Sequence, residues 1–401
     1  MKIKKNLHCI LITHLLCVIA GSQKYKSDIK YPLIFVPGIK ESILEAKLNN
    51  ALVEQKKCIK NTNNYFILWI NTQFYKTNST ICMDEYLTLL YNNKTRTTSN
   101  TPGVNIEVPE FGKRPRAIEF QSSDVTVEDD LNDITEMLVK LGYRIGYSLR
   151  GAPYDFRKGP NEHTTYFNKL KLLIEETYTT NGNKSVIMLV RSMGALMSGT
   201  FLRRQTQEWK DKYIKSLVSI SGDWGGAVGR LITYTDGVQF GKYTLRSFST
   251  FPSISWILPH PFIWNPYEVF VETPSKNYSL SNLKDYFVDI NYEVGWELYQ
   301  DIYPDVEKDP IPLGVELHCI YGYGIPTIRK IYYGKGAFPN KPPVLIKGDG
   351  DGTVNKQSLS ACAYWIKLQT QPIHLVPMKG SNHTFISRTN STLEYIKNLV
   401  T

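Results

Sequence analysis

The run VIMLVRSMGALMSGTFL, Val186 to Leu202, constrains this chain more than any other stretch. Five apolar residues lead to Arg191 and Ser192, Gly194 follows, and a helix-forming segment continues from it. That order predicts a strand, a sharp turn at Ser192 and a helix. Such a turn lifts a hydroxyl above a sheet edge and aims backbone N–H groups at a developing oxyanion. The usual pattern has glycine two residues on either side of the serine. Here Val190 stands at the first of those positions, and Gly194 keeps the second.

Four more short β-branched runs share the character of Ser185–Val190: Leu33–Gly38, Ser216–Ser221, Leu317–Gly322 and His374–Met378. Longer periodic stretches lie between them, including expected helices over Thr165–Thr180 and Ala195–Trp209. Strands alternating with helices predict an α/β fold, a mostly parallel sheet covered on both faces. Two stretches break the alternation. NYFILWINTQFY, between Cys58 and Cys82, is dense in aromatic and aliphatic residues. It reads either as a core strand or as an excursion presenting Phe66, Leu68 and Trp69 to a lipid interface. Thr233–Trp264 is long, aromatic and interrupted by proline, the composition of a lid over an apolar cleft, with a structured surface insertion as the alternative.

At 401 residues, 42% hydrophobic and 21% charged, the chain can build a large core as a globular protein. Residues 1–22 have Lys2, Lys4 and Lys5, an apolar run from Leu7 to Ala20 and then small residues, the layout of a cleaved secretory signal. Beyond it, Cys58, Cys82, Cys319 and Cys362 make an even set in an oxidising compartment. Two disulfides are expected. Three connectivities are open, and nearest-neighbour pairing is the one expected. Sequons at Asn78, Asn93, Asn183, Asn277, Asn382 and Asn390 agree with the secretory route. The net charge of +10 is scattered, which favours anionic lipid surfaces and argues against nucleic acid as partner.

A serine nucleophile needs a base within reach and an acid to orient it, and an α/β-hydrolase supplies them in the order Ser, Asp or Glu, His. His318 and His374 lie inside expected strands, and His260 lies in the lid stretch. His383 instead sits in a Gly/Ser/Asn loop between the last strand and the C-terminal helix, where that fold delivers its base. KGDGDGTVN, Lys347–Asn355, offers Asp351 as the acid, with Asp349 shaping the turn. A calcium loop would need a closing glutamate and flanking helices, and neither is present.

With these residues placed, the chain resembles the lecithin:cholesterol acyltransferase family, and within it the lysosomal phospholipase A branch. The resemblance runs from about Tyr31 to Leu399 and rests on VPGI with LEAKL (Val36–Leu48), LGYRIGYSLRGAPYDFR (Leu141–Arg157), FLRRQTQEWKDKYI (Phe201–Ile214), GDWGG (Gly222–Gly226), LHCIYGYGIPT (Leu317–Thr327) and GDGDGTVN (Gly348–Asn355). It implies an α/β-hydrolase domain over residues 23–401, with a membrane-binding excursion at 58–82 and a cap and lid at about 233–290. Ser192, Asp351 and His383 would be nucleophile, acid and base, and the N–H groups of Ile39 and Met193 the oxyanion hole. It also supports the two disulfides. The implied activity takes a fatty-acyl chain from a glycerophospholipid and passes it to water or a lipid alcohol, with no metal or organic cofactor. The partners are a phospholipid surface and that acceptor, the compartment is lysosomal or extracellular, and the default assembly is a monomer.

The chain departs from the family pattern at three places. Ile39-Lys40-Glu41 replaces Asp-Leu-Gly, Val190-Arg191 replaces a small residue and histidine, and Gly222-Asp223 replaces Ala-Pro. Asp223 is expected near the sheet edge as a partner for Arg191. These departures keep two alternatives open, a lipoprotein-associated sterol acyltransferase and a lipid-binding protein with impaired chemistry. Asn78, Asn93, Asn277 and Asn390 are expected to carry glycans, whereas one on Asn382 would obstruct His383.

Overall fold

Six short apolar strands pair side by side, all of them parallel: β1 (Leu33–Val36), β2 (Leu149–Gly151), β3 (Val186–Arg191), β4 (Ile214–Ile220), β5 (Leu317–Tyr323) and β6 (Ile373–Lys379), in the order β6-β5-β4-β3-β1-β2. This computed structural model describes residues 29–121, 126–308 and 310–401. The expected signal over residues 1–22 lies outside them. The five expected strands coincide with β1 and β3–β6. β2 was not anticipated, because three residues are too few to show an apolar period.

Strand geometry sends alternate side chains to opposite faces, and β1 divides accordingly. Ile34 and Val36 enter the larger core on one face, while Leu33 and Phe35 enter a second core on the other. The first face carries α2 (Thr164–Thr180) and α3 (Gly194–Arg203). The second carries α1 (Asn132–Lys140), through Ile134 and Leu138, and the C-terminal helix α5 (Asn390–Val400), through Ile396 and Val400. The helix expected over Ala195–Trp209 is divided. α3 ends at Arg203, and Thr206 starts α4 (Gln207–Tyr213) by accepting the Trp209 N–H on its hydroxyl. Serine and threonine at such a position offer the backbone an alternative to continuing the helix.

The chain leaves β1 for β2 on one side and returns to β3 on the other. The carboxyl ends of β1 and β3 therefore flank a topological switch point, where open α/β sheets form their crevice. The loop after β1 and Ser192 after β3 both lie at that point.

Cys58 pairs with Cys82 and Cys319 with Cys362. Inside the first loop, strand Phe66–Trp69 pairs antiparallel with Leu44–Leu48, and the register slips between Leu44 and Glu45. One extra residue in the strand lets neighbours point the same way, and Leu68 and Trp69 are both buried, at 0% and 2% exposure. The expectation that they face a lipid interface is corrected: they are core residues, and Phe66 is half-buried against the same core. Tyr65 and Ile67 point outward.

The Thr233–Trp264 stretch also packs inward. It holds two short helices, Thr233–Asp236 and Pro252–Trp256, and a hairpin of Val238–Phe240 with Tyr243–Leu245. Phe248, Phe251, Ile254, Trp256, Ile257, Leu258 and Trp264 are all buried in the main core. Its apolar content is interior packing, Phe240 and Leu245 of the hairpin included. Asp84, two residues beyond Cys82, accepts the N–H groups of Arg246 and Ser247 at 2.8 and 2.9 Å and ties the two insertions together.

Candidate active site

Ser192 sits at the turn between β3 and α3 with φ of 50°, a left-handed conformation that is costly for a residue with a β-carbon and is kept only where surrounding structure enforces it. The enforcement is visible on both sides. The Ser192 N–H donates to the Ile220 carbonyl at 3.0 Å. Gly194 brings the start of α3 against β1 so closely that a β-carbon there would meet the Val36 carbonyl oxygen at 2.5 Å. Gly38 plays the same part opposite, where a β-carbon would approach that of Ser192 to 2.8 Å.

The structure brings Ser192, His383 and Asp351 together. His383 Nε2 lies 3.0 Å from Ser192 Oγ, and its Nδ1 lies 2.7 Å from Asp351 Oδ2. The other Asp351 oxygen accepts the N–H groups of Val354 and Thr353 at 2.8 and 3.0 Å, and the His383 N–H donates to the Asp351 carbonyl at 2.9 Å. Burial pushes the Asp351 carboxyl upward, but the charge and hydrogen bond of His383 with these two N–H groups outweigh it and hold the group below the usual carboxylate range. Asp351 follows strand Val344–Gly350, which pairs antiparallel with Ile325–Tyr332, so an inserted hairpin delivers the acid. Asp349 accepts the Gly324 N–H at 2.6 Å and pairs with Lys356, shaping that turn. Among the described residues the N–H groups of Ile39 and Met193 have no acceptor, and they flank the Ser192 turn on the β1 and α3 sides.

Two contacts at the β1 loop were not legible as pairs in the sequence. Arg191, wholly buried, is bonded to Glu41 and reaches Asp130 at 3.2 Å and the His383 carbonyl at 3.2 Å. The expected Arg191–Asp223 pair is therefore replaced by Arg191–Glu41. The other Glu41 oxygen accepts the Gly38 N–H at 2.6 Å. Burial draws the Arg191 guanidinium down to about 10, against the attraction of Asp351, so it is charged at physiological pH. The simultaneous departures at Glu41 and Arg191 were the available signal, because new opposite charges near one turn tend to meet. Trp69 Nε1 donates to the Lys40 carbonyl at 2.7 Å, and Lys40 has φ of 68°. The aromatic run thus braces the loop carrying Ile39.

The family model described as "Lecithin:cholesterol acyltransferase" matches residues 65–395. The chain belongs to the lecithin:cholesterol acyltransferase family. Among curated members, it is 38% identical over 375 residues to human "Lysosomal phospholipase A and acyltransferase", covering 92% of this chain and 90% of that protein. It is 35% identical to mouse "Phosphatidylcholine-sterol acyltransferase", covering 91% and 84%. Among solved structures, the Tle4-Tli4 complex matches with a TM-score of 0.50 at 12% identity, covering 90% of this chain and 96% of that one. The fold of this acyltransferase-family chain is an α/β-hydrolase.

The remaining expected histidines lie elsewhere. His260 is wholly buried, its Nε2 2.6 Å from the Trp256 carbonyl. His318 and His374 stack with ring centroids 4.4 Å apart and planes 10° apart, beside Glu316. One donor atom from each of Glu316, His318 and His374 lies within 4.8 Å of the other two. Asn78, Asn93, Asn277 and Asn390 are exposed, whereas Asn382 is half-buried with its side-chain oxygen accepting the Phe385 N–H at 2.7 Å.

Proposed function

We propose that the protein is a serine-dependent phospholipase A and O-acyltransferase. The observation that carries this reading is the Ser192–His383–Asp351 chain of hydrogen bonds at the switch point of the sheet. His383 takes the Ser192 proton as Oγ attacks the ester carbonyl, and the oxyanion is held by the N–H groups of Ile39 and Met193. The tetrahedral adduct collapses with cleavage of the acyl C–O bond, and His383 returns the proton to the departing lysophospholipid. Water or a lipid alcohol then attacks the acyl-enzyme, His383 again taking the proton, and the Ser192 Oγ–acyl bond breaks to release the fatty acid or new ester as His383 returns that proton to Ser192 Oγ. Asp351 holds the imidazole with Nδ1 protonated so that Nε2 faces the serine. The departures at Ile39 and Arg191 keep the backbone donors and leave this hydrogen-bond chain intact.

The named relatives support a glycerophospholipid as acyl donor, and the expected signal and sequons agree with a lysosomal or extracellular site of action. Ile59, Tyr65 and Ile67 in the first disulfide loop, with Leu52 beside it, are exposed apolar residues suited to peripheral membrane contact. The test is fatty-acid release from phosphatidylcholine liposomes containing an anionic lipid, with either short-chain ceramide or cholesterol as acceptor. Activity lost at least 10³-fold in Ser192→Ala is expected, with ceramide acylated in preference to cholesterol. Preferred cholesterol acylation would assign the sterol branch. Liposome binding without turnover in the wild type would reassign the chain as a lipid binder.

A further inference from the structure

Asp223 follows β4, and its N–H donates to the Ser192 carbonyl at 3.3 Å. Its side chain is wholly buried, and neither carboxyl oxygen has a hydrogen-bond partner among the described residues. Buried carboxylates are ordinarily paired or hydrogen-bonded, because an ion removed from water without compensation is very unfavourable. The charged and titratable groups around it come from every neighbouring element: His383 and Asp351 from the two late loops, Arg191 from β3, Tyr154 from the loop after β2, Arg230 from the turn at Val228–Ile232, and His260 from the cap. Arg191 is engaged by Glu41 and Asp130. The Tyr154 hydroxyl is buried and also without a hydrogen-bond partner among the described residues. Burial pushes the Asp223 carboxyl upward, opposed by Arg230, His383 and His260 and reinforced by Asp351.

We propose that Asp223 sets the pH range of the reaction, permitting it as a neutral acid beside Ser192 and suppressing it when ionised. The inference rests on the serine mechanism above. A neutral carboxyl leaves the oxyanion unopposed. An anionic one places a negative charge beside Ser192, where the oxyanion must form. Ionisation of Asp223 therefore slows acylation as pH rises. Asp223 is a positioning residue in this scheme, acting through its charge on the oxyanion. In this chain it occupies the place where the family pattern has proline, a residue that cannot titrate.

The test follows the rate at which a neutral fluorophosphonate labels Ser192 between pH 3.5 and 8.5, in the wild type, Asp223→Asn and Asp223→Ala, with Ser192→Ala as control. The ratio of Asp223→Asn to wild-type rates is expected near one at the acid end and at least tenfold at pH 7.5, with Asp223→Ala moving the same way. A ratio that stays flat with pH would reduce Asp223 to a structural residue and overturn the proposal. Wild type unlabelled at every pH would overturn the serine reading, and this inference with it. Thermal melting gives a readout independent of chemistry. A carboxyl raised in the folded state makes no difference below its unfolded value of about 3.9 and destabilises increasingly as pH rises above it. The melting temperature of Asp223→Asn should therefore exceed that of the wild type by a margin that grows from pH 4 to pH 7. No such growth would also overturn the proposal.

Discussion

Glu41 and Arg191 form a buried ion pair beneath the turn that holds Ser192, at 1% and 0% side-chain exposure. Such pairs add little net stability over an apolar filling, but removing one partner strands a charge at a cost of about 3–5 kcal/mol. Glu41→Gln should lower stability toward that range and also loosen the loop, since Glu41 fixes the Gly38 N–H. Arg191→Met in the Glu41→Gln background removes the stranded charge and should recover part of the loss. Urea unfolding of the two single variants and the double variant checks this. Additive losses, with no recovery, would mean that the two residues act independently.

At the scale of elements, the strand Phe66–Trp69 has one outward residue in Ile67 and an inward anchor in Trp69. Trp69 packs edge-on against Phe156 and Phe248 and bonds the Lys40 carbonyl. The two sides should respond differently to substitution. Tyr65→Ser with Ile67→Ser should weaken liposome binding several-fold while melting temperature and turnover of a soluble ester stay unchanged. Trp69→Phe should keep much of the packing but release Lys40, lowering soluble-ester turnover about tenfold with little effect on liposome binding. Vesicle sedimentation and ester kinetics on the same preparations check both. A loss of vesicle binding in Trp69→Phe at unchanged melting temperature would return the tryptophan to the interface.

At the scale of the whole molecule, the net charge of +10, or +7 without the three lysines of the expected signal, acts over the distance that salt permits, about 8–10 Å near physiological ionic strength. Binding to vesicles containing anionic lipid should weaken as sodium chloride rises from 50 to 300 mM, while binding to neutral phosphatidylcholine vesicles should change little. Equal salt responses on both surfaces would mean that apolar contact alone carries adsorption. No helix among the described residues is long and apolar enough to cross a membrane.

The strands of the sheet, their alternation with helices, the disulfide partners and the three residues of the Ser192 hydrogen-bond chain were legible in the sequence. Each is encoded locally: a β-branched run bounded by turn residues, a serine before glycine at a strand end, a histidine or aspartate in a glycine-rich loop. β2 escaped because three residues carry no period. The direction of Leu68 and Trp69 escaped because a register slip changes which residues point inward, and a slip depends on the partner strand. The partner of Arg191 likewise became visible only once folding brought Glu41 and Asp130, 150 and 61 residues away in the chain, against the end of β3. Composition and local pattern determined which elements form and what chemistry they can carry. Long-range packing decided which charges are paired, which are left alone in the interior and which aromatic faces meet solvent, because burial and pairing depend on neighbours far away in the chain.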